Sequence, residues 1–265
     1  MGSEVSIPNI PDMRIMDLPR GAEVDWDIPQ ADATIFKVNR RKVFAFRMDK
    51  MDLKQLADKG MMDKFSDDAA KQMIEAISVD FLNDVVTFAD PNNQGIAAGR
   101  IQQGYNLGTA GAPVLLSKSN IIDYITAIGA VGDEQKWPDS GRKVFLPSVF
   151  CMLLKQSDLK DASMTGDAQS TLRSGRLGMI DRWEIFRSNL YTPVIDVAAG
   201  SKRCYNILFN HMEGICYAGQ LQEAEYHEKF EKIFGKGMKG ENIFDWVVNK
   251  PVCVGNLYAA ANIQL

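Results

Sequence analysis

Apolar and polar residues alternate near the start of this 265-residue chain. Val5 and Ile7 stand between polar neighbours, and residues 42–48 show the period of two that is typical of a strand. Four prolines rule out a continuous helix here: Pro8, Pro11, Pro19 and Pro29. The pattern predicts a long two-stranded ribbon over residues 4–48, with an exposed turn at residues 21–27. Such a ribbon needs another surface to lie on, because two strands alone are marginally stable.

The period changes to that of a helix over residues 67–88. Six apolar residues follow the three- and four-residue spacing of one helical face: Ala70, Met73, Ile74, Ile77, Phe81 and Val85. We expect Ser66 to cap the helix, with Asp67 and Asp68 at its positive N-terminus and Pro91 beyond its end. At 1.5 Å per residue the helix would be roughly 30 Å long, with its apolar stripe facing the core.

The second half of the chain mixes short segments of both types. Residues 92–113 are rich in Gly, Asn, Gln and Ala and predict a loop. A helix is predicted over residues 120–131, with Ser119 as N-cap and four inward isoleucines: Ile121, Ile122, Ile125 and Ile128. The remaining predictions are strands at residues 143–146, 183–189, 205–209 and 246–254, a helix at 148–154 and a polar loop at 157–174.

Composition and charge narrow the class of protein. The hydrophobic content of 46% and charged content of 24% are ordinary for a folded chain that holds one large or two smaller domains. The net charge of -4 argues against a dominant nucleic-acid-binding face. We find no signal peptide and no apolar run near the ~20 residues that span a bilayer. We expect folding in a reducing cytoplasm, with all four cysteines reduced: Cys151, Cys204, Cys216 and Cys253.

One motif has the spacing of a cofactor-binding loop. Residues 235–240 match G-x-G-x-x-G, but a dinucleotide site needs a preceding strand, a following helix and an acid about 20 residues later. A charged, helix-like stretch precedes this motif, and residues 258–262 contain no acid. We therefore interpret it as a flexible glycine turn.

The other candidate sites are incomplete. His227 and Glu228 begin like a zinc-protease motif, but Glu231 stands where the second histidine is needed, which favours a solvated charged face. The remaining pairs lack an orienting acid or a third ligand: Cys204 with His211, Cys216 with His211, and Asp80 with Asp84. The sequence therefore predicts no catalytic, metal-binding or cofactor-binding residue.

The order of parts between Arg142 and Asn189 resembles the axial-domain core of tailed-phage major capsid proteins with the Hong Kong 97 fold. The similar motifs are Arg-Lys-Val-Phe-Leu-Pro at residues 142–147, Gly175-x-x-Gly178-x-Ile180, and Ser-Asn at residues 188–189. Family members often carry glycine before the aromatic residue of the last strand. Here the aromatic Trp183 matches, but Arg182 replaces the glycine.

This resemblance implies an α+β fold of four parts. Residues 1–50 would be an extended loop that lies across a neighbouring subunit, and residues 51–115 the first part of a peripheral domain with a long spine helix. Residues 116–222 would form the axial domain, and residues 223–265 the strands that return to the peripheral domain. Relatives usually have an N-terminal arm, so we expect that processing or cloning removed one before Met1.

The resemblance also implies a structural role without enzymatic activity. The protein would assemble with itself into pentamers and hexamers of an icosahedral shell around phage double-stranded DNA. Scaffolding, portal and decoration proteins would be partners, DNA contacts would be weak and non-specific, and the virion capsid would be assembled in the host cytoplasm. An encapsulin-like compartment shell and an unrecognised α+β enzyme are the alternatives.

A basic cluster near the ribbon fits the same expectation. It comprises Arg40, Arg41, Lys42 and Lys54. Its charge is too small for a DNA-binding surface. We expect salt bridges between subunits instead, with neighbouring acids such as Asp25, Asp27 or Asp32.

Overall fold

The structure is a computed structural model that describes residues 4–9, 15–21, 23–24, 26, 32–49, 51, 60–157, 178–228, 230 and 234–263. The chain divides into two units. The ribbon unit comprises Met1–Lys50 and Tyr217–Val247, and the core unit comprises Met51–Cys216 and Val248–Leu265. Helices and strands occur together, which confirms the α+β class.

The first two strands of the predicted ribbon pair with each other. β1 (Glu4–Asn9) pairs antiparallel with β2 (Asp32–Lys37), and Glu4 lies opposite Lys37 at one end. These two residues also form a 3.3 Å ion pair. β3 (Arg40–Asp49) does not continue this pairing but joins a second sheet.

The second sheet of the ribbon unit has the strand order β10-β11-β3. β10 spans Ile215–His227, and β11 spans Gly235–Val248 and pairs antiparallel with β3. Side chains on β3 alternate between half-buried and exposed positions, as its period-two pattern predicts. The predicted strand over residues 246–254 is interrupted: its first three residues end β11, and Pro251 then starts a short 3₁₀ helix, Pro251–Cys253, before the last strand begins at Val254.

The core unit is built on one mixed sheet. Its strands are ordered β4-β12-β9-β5-β7-β6, and β8 pairs with the start of β9. Their bounds are β4 Val114–Leu116, β5 Arg142–Leu146, β6 Met179–Ile180, β7 Trp183–Arg187, β8 Val194–Asp196, β9 Lys202–His211 and β12 Val254–Ala261. The β4–β12 and β5–β7 pairs are parallel, and the others are antiparallel.

Two helices supply much of the core. They are Ile121–Glu134 and Ser148–Gln156, numbered α2 and α3 because the spine-like helix Met61–Val85 precedes them as α1. Buried side chains of α2 and α3 join Val144, Ile207 and Phe209 of the sheet in one apolar cluster. Three of the predicted inward isoleucines are buried and Ile122 is partly buried, so this prediction is confirmed. Burying each such side chain contributes roughly 1.5–3 kcal/mol.

The helix ends differ from the predicted ones. α1 begins at Met61 with Gly60 at the N-cap position, so Ser66 lies inside the helix. α2 has Asn120 rather than Ser119 at its N-cap position. A 3₁₀ helix, Val86–Phe88, follows α1. Residues 92–113 form the predicted loop after a 3₁₀ turn at Pro91–Asn93, whereas most of the predicted loop at 157–174 lies outside the described residues.

The inward stripe predicted for α1 is confirmed only in part: Met73, Ile77 and Phe81 are half-buried, whereas Ala70 and Ile74 are exposed. Only Val85 of the six residues is buried, and the other buried apolar residue of the helix is Leu82. Ile74 is 63% exposed. The described part of the chain contains no helix that is long and apolar enough to span a membrane.

Candidate functional site

The glycine motif at residues 235–240 is the first part of strand β11, so its interpretation as a flexible turn is wrong. Gly240 lies opposite Phe44, and a Cβ atom there would clash with the Phe44 ring. A Cβ atom on Gly237 would stand 2.6 Å from the Phe230 ring and 2.8 Å from the Phe46 carbonyl oxygen. The glycines therefore allow aromatic rings to lie against the strand. The strand continues to Val248, so no helix start follows as a phosphate-binding turn requires.

A cavity of about 350 Å³ lies beside this strand. We name it the Phe230 pocket, and it is lined by Ala45, Phe46, Arg47, His227, Phe230, Met238 and Lys239. Ala45 lies opposite Lys239, and Arg47 lies opposite Gly237, whose missing side chain leaves room for the Phe230 ring. The pocket thus combines apolar walls with cationic groups.

His227 lies beside an aromatic ring and a carboxylate. The ring of His227 lies 5.9 Å from that of Phe230, and its Nε2 atom lies 3.4 Å from Glu225. Glu225 also accepts a hydrogen bond from Lys239 at 2.6 Å, which holds the pKa of this carboxyl below its usual range. Among the described residues, no three His, Cys, Asp or Glu side chains are placed to hold a metal ion.

Large apolar side chains remain in water on both units. In the ribbon unit, Trp26 is 86% exposed, and Ile15, Leu18 and Val24 are exposed near it in the sequence. In the core unit, Phe65 and Ile74 are exposed on α1. Exposed apolar groups of this kind mark interaction surfaces when they cluster.

The basic cluster pairs within its own chain. Arg40 donates to Asp245 at 3.0 Å and also lies 3.9 Å above the Trp246 ring, and Arg41 pairs with Glu241. β11 therefore places acids of the same chain directly beside both arginines, and the expected pairs between subunits stay a prediction. Lys54 of the cluster lies outside the described residues, as do the expected partners Asp25 and Asp27 and the side chain of Asp32.

Two arginines and two aspartates form a network that the sequence did not predict. The guanidinium of Arg142 is fully buried and donates to Asp133 at 2.7 Å, to Trp137 O at 2.7 Å and to Pro138 O at 2.8 Å. Arg182 donates to Asp133 and to Asp139, both at 2.6 Å. Burial raises the pKa of Asp133, but the hydrogen bonds from Arg182 and Arg142 outweigh this effect and hold its pKa below the usual range. The departure from glycine at residue 182 therefore serves a structural network.

Other buried polar groups also have structural partners. The Tyr191 hydroxyl donates to Phe145 O at 2.8 Å and accepts from Leu208 N at 3.2 Å, and burial raises its pKa. His211 contacts Ser140 O at 2.9 Å through Nε2 and accepts from Glu213 N at 3.3 Å through Nδ1. These contacts bind strands and turns together.

The remaining candidates for chemistry are placed as follows. All four cysteines are free thiols, three of them buried and Cys216 half-buried, as expected. The thiol of Cys204 lies 3.7 Å from Lys202 O, a contact within its own strand. Asp80 and Asp84 are half-buried on α1. The strongest feature of the described surface is therefore apolar exposure rather than a set of reactive groups.

Comparison with known proteins yields matches of fold. No family model matches the sequence, and no curated protein matches it. A solved chain of Mycobacterium phage Che8 has a TM-score of 0.71 at 17% identity, over 97% of this chain and 84% of that one. The capsid of cyanophage P-SCSP1u has a TM-score of 0.69 at 13% identity, over 99% of this chain and 85% of that one. The head structure of Helicobacter pylori bacteriophage KHP40 has a TM-score of 0.66 at 11% identity, over 97% of this chain and 85% of that one. The chain has the fold of these phage proteins.

Proposed function

We propose that the protein is the major capsid subunit of a tailed phage and that its fold is of the Hong Kong 97 type. The observation that carries the proposal is the fold match over 97–99% of the chain with phage capsid and head structures. A match of this extent includes the ribbon as well as the core unit. The role is structural: the protein encloses material and performs no reaction.

Assembly would use the four parts expected from the sequence. The extended loop at residues 1–50 lies on a neighbouring subunit and buries its exposed apolar groups there. The first peripheral segment at 51–115 contributes α1 as the spine helix, and residues 223–265 return strands to that domain. The axial domain at 116–222 closes pentamers and hexamers around their symmetry axes.

The exposed apolar side chains of α1, Phe65 and Ile74, support this mechanism. An apolar side chain such as Ile74 stabilises no core in the isolated subunit, but it can be buried when a second copy covers the helix. Repeated heterologous contacts of this kind close into rings and shells when their geometry is correct. Individually weak contacts allow incorrectly placed subunits to dissociate before the shell is complete.

The contents and partners follow from the same role. The shell would enclose double-stranded DNA, and the net charge of -4 suits a wall that contains DNA without binding it tightly. Scaffolding, portal and decoration proteins would act with it, and assembly would take place in the host cytoplasm before the capsid becomes part of the virion.

Light scattering coupled to size-exclusion chromatography tests this proposal on the full chain. Titration of protein concentration and salt should convert the 29.5 kDa subunit into species with the mass of five or six subunits, or into much larger shells. A chain that stays monomeric or forms only dimers under all these conditions would contradict the proposal.

A further inference from the structure

Trp26 differs from every other tryptophan of the chain. Trp137, Trp183 and Trp246 are buried, whereas Trp26 is 86% exposed. It lies in an acidic segment, since residues 22–27 contain Glu23, two aspartates and no basic residue. Burial of an indole ring removes roughly 150–250 Å² from water, so this side chain is a strong candidate for an anchor at an interface.

The Phe230 pocket has the complementary properties. Its walls include the Phe230 ring and the backbone of β3 at Phe46, and its volume of about 350 Å³ leaves room for an aromatic side chain. Arg47 supplies positive charge at the same place, whereas the charge of Lys239 is already paired with Glu225. Arg47 has no acidic partner among the residues that the structure describes. An apolar anchor flanked by acids matches this pocket in both shape and charge.

We propose that the indole of Trp26 docks into the Phe230 pocket of a second copy of the chain. The contact is heterologous, because the Trp26 segment of one subunit meets a different surface, the Phe230 pocket, on the next one. Heterologous contacts of this kind generate closed rings. The inference rests on the proposed function and adds to it a named anchor and a named receptor.

Tryptophan fluorescence tests the contact directly, because Trp26 is the exposed member of the set. In unassembled subunits, the difference between wild type and Trp26→Phe should be a red-shifted emission that acrylamide quenches readily. In assembled particles, this difference should shift to the blue and become several-fold less accessible to acrylamide. A Trp26 signal that stays fully quenchable in assembled particles overturns the docking.

A pair of variants on β3 identifies the receptor. Ala45 and Val43 are both exposed on the same face of the strand, but only Ala45 lines the pocket. Ala45→Glu places a carboxylate inside the pocket, where it repels the acidic segment at residues 22–27. It should raise the protein concentration needed for assembly about tenfold or more and leave Trp26 quenchable in any particles formed. Val43→Glu should assemble as the wild type does.

The outcomes separate the two proposals. Assembly of the wild type with Trp26 still exposed, or equal effects of Ala45→Glu and Val43→Glu, overturns the docking and leaves the capsid function standing. Protection of Trp26 that Ala45→Glu does not reverse shows a different receptor and also overturns it. A wild-type chain that forms no higher oligomer overturns both. Circular dichroism of each unassembled variant detects loss of folding, and the wild-type quenching result stands without the variants.

Discussion

The carboxylate of Asp133 accepts a hydrogen bond at 2.7 Å from the guanidinium of Arg142, which is fully buried beneath it. The pair joins the C-terminal turn of α2 to the first residue of β5. A buried charge is tolerated when it is paired and hydrogen-bonded, and it becomes costly when its partner is removed. The elements that form the main core are therefore connected by charge as well as by apolar packing.

Removing this carboxylate charge should destabilise the subunit. We expect Asp133→Asn to lower the free energy of unfolding by about 2 kcal/mol, because Arg142 stays charged and buried and keeps only the longer 3.7 Å contact with Asp139. Urea denaturation of the unassembled subunit measures the change. Asp139→Asn is the matched control, since Asp139 also binds Arg182 but is 77% exposed, and we expect it to cost less than about 1 kcal/mol. Equal losses for both variants would contradict the proposed role of Asp133.

The same carboxylate should make stability fall in acid. The pKa of Asp133 is lower in the folded chain than its ordinary value, so the unfolded chain binds the proton more readily. Its contribution to stability is therefore present above the ordinary value of about 3.9 and is lost as the pH falls through the lower folded pKa. Denaturation at a series of pH values should show a smaller acid loss for Asp133→Asn than for wild type. Parallel curves would argue against the assignment.

The hydroxyl of Tyr191 should stabilise the junction of β5 and β9. It connects Phe145 O and Leu208 N, which stand just beyond the last paired residues of the two strands. Tyr191→Phe leaves both backbone groups without this partner and should cost about 1–2 kcal/mol in urea denaturation. Tyr205→Phe is a suitable control, since its ring packs at 5.7 Å from Phe150 and its hydroxyl has no hydrogen-bond partner in the described part of the chain. The control should change stability by less than about 0.5 kcal/mol.

Gly240 should resist substitution because the Phe44 ring lies against it. Gly240→Ala forces that ring away from strand β11, and we expect a loss of about 1–2 kcal/mol together with faster proteolysis of the ribbon unit. Gly219→Ala on β10 is the comparison, since a Cβ atom there would stand 3.6 Å from the Tyr217 ring, an ordinary contact. A neutral Gly240→Ala variant would mean that the aromatic contact does not explain this glycine.

Two aspartate variants on α1 separate folding from assembly. Leu82→Asp buries a charge and should prevent stable folding of the subunit. Ile74→Asp changes a side chain that is 63% exposed, so the subunit should keep its helicity and thermal stability while assembly is weakened. Circular dichroism and size-exclusion chromatography measure the two properties. Unfolding by Ile74→Asp would show that the stripe belongs to the subunit's own core.

The helix α2 could be predicted from sequence because the spacing of its isoleucines reports directly on a face that its own chain covers. The stripe on α1 has the same spacing, but spacing does not say whether the covering surface belongs to the same chain. That difference explains why one prediction was confirmed throughout and the other only in part.

The other features depend on contacts between residues that are far apart in the sequence, and such contacts could not be predicted. Gly240 looks like part of a turn until Phe44 is placed beside it, and Arg182 looks like a surface residue until Asp133 is placed beside it. Neither contact leaves a local pattern in the sequence. The exposed state of Trp26 was expected from the ribbon, whereas its proposed receptor required the geometry of β3, β11 and Phe230.

Electron microscopy of the purified full chain under assembling conditions tests the central claim most directly. We expect closed shells, or rings with five or six subunits, and class averages in which the ribbon of each subunit lies on the next one. Particles that remain single subunits, or that associate without rotational symmetry, would contradict the account of this protein as a capsid subunit.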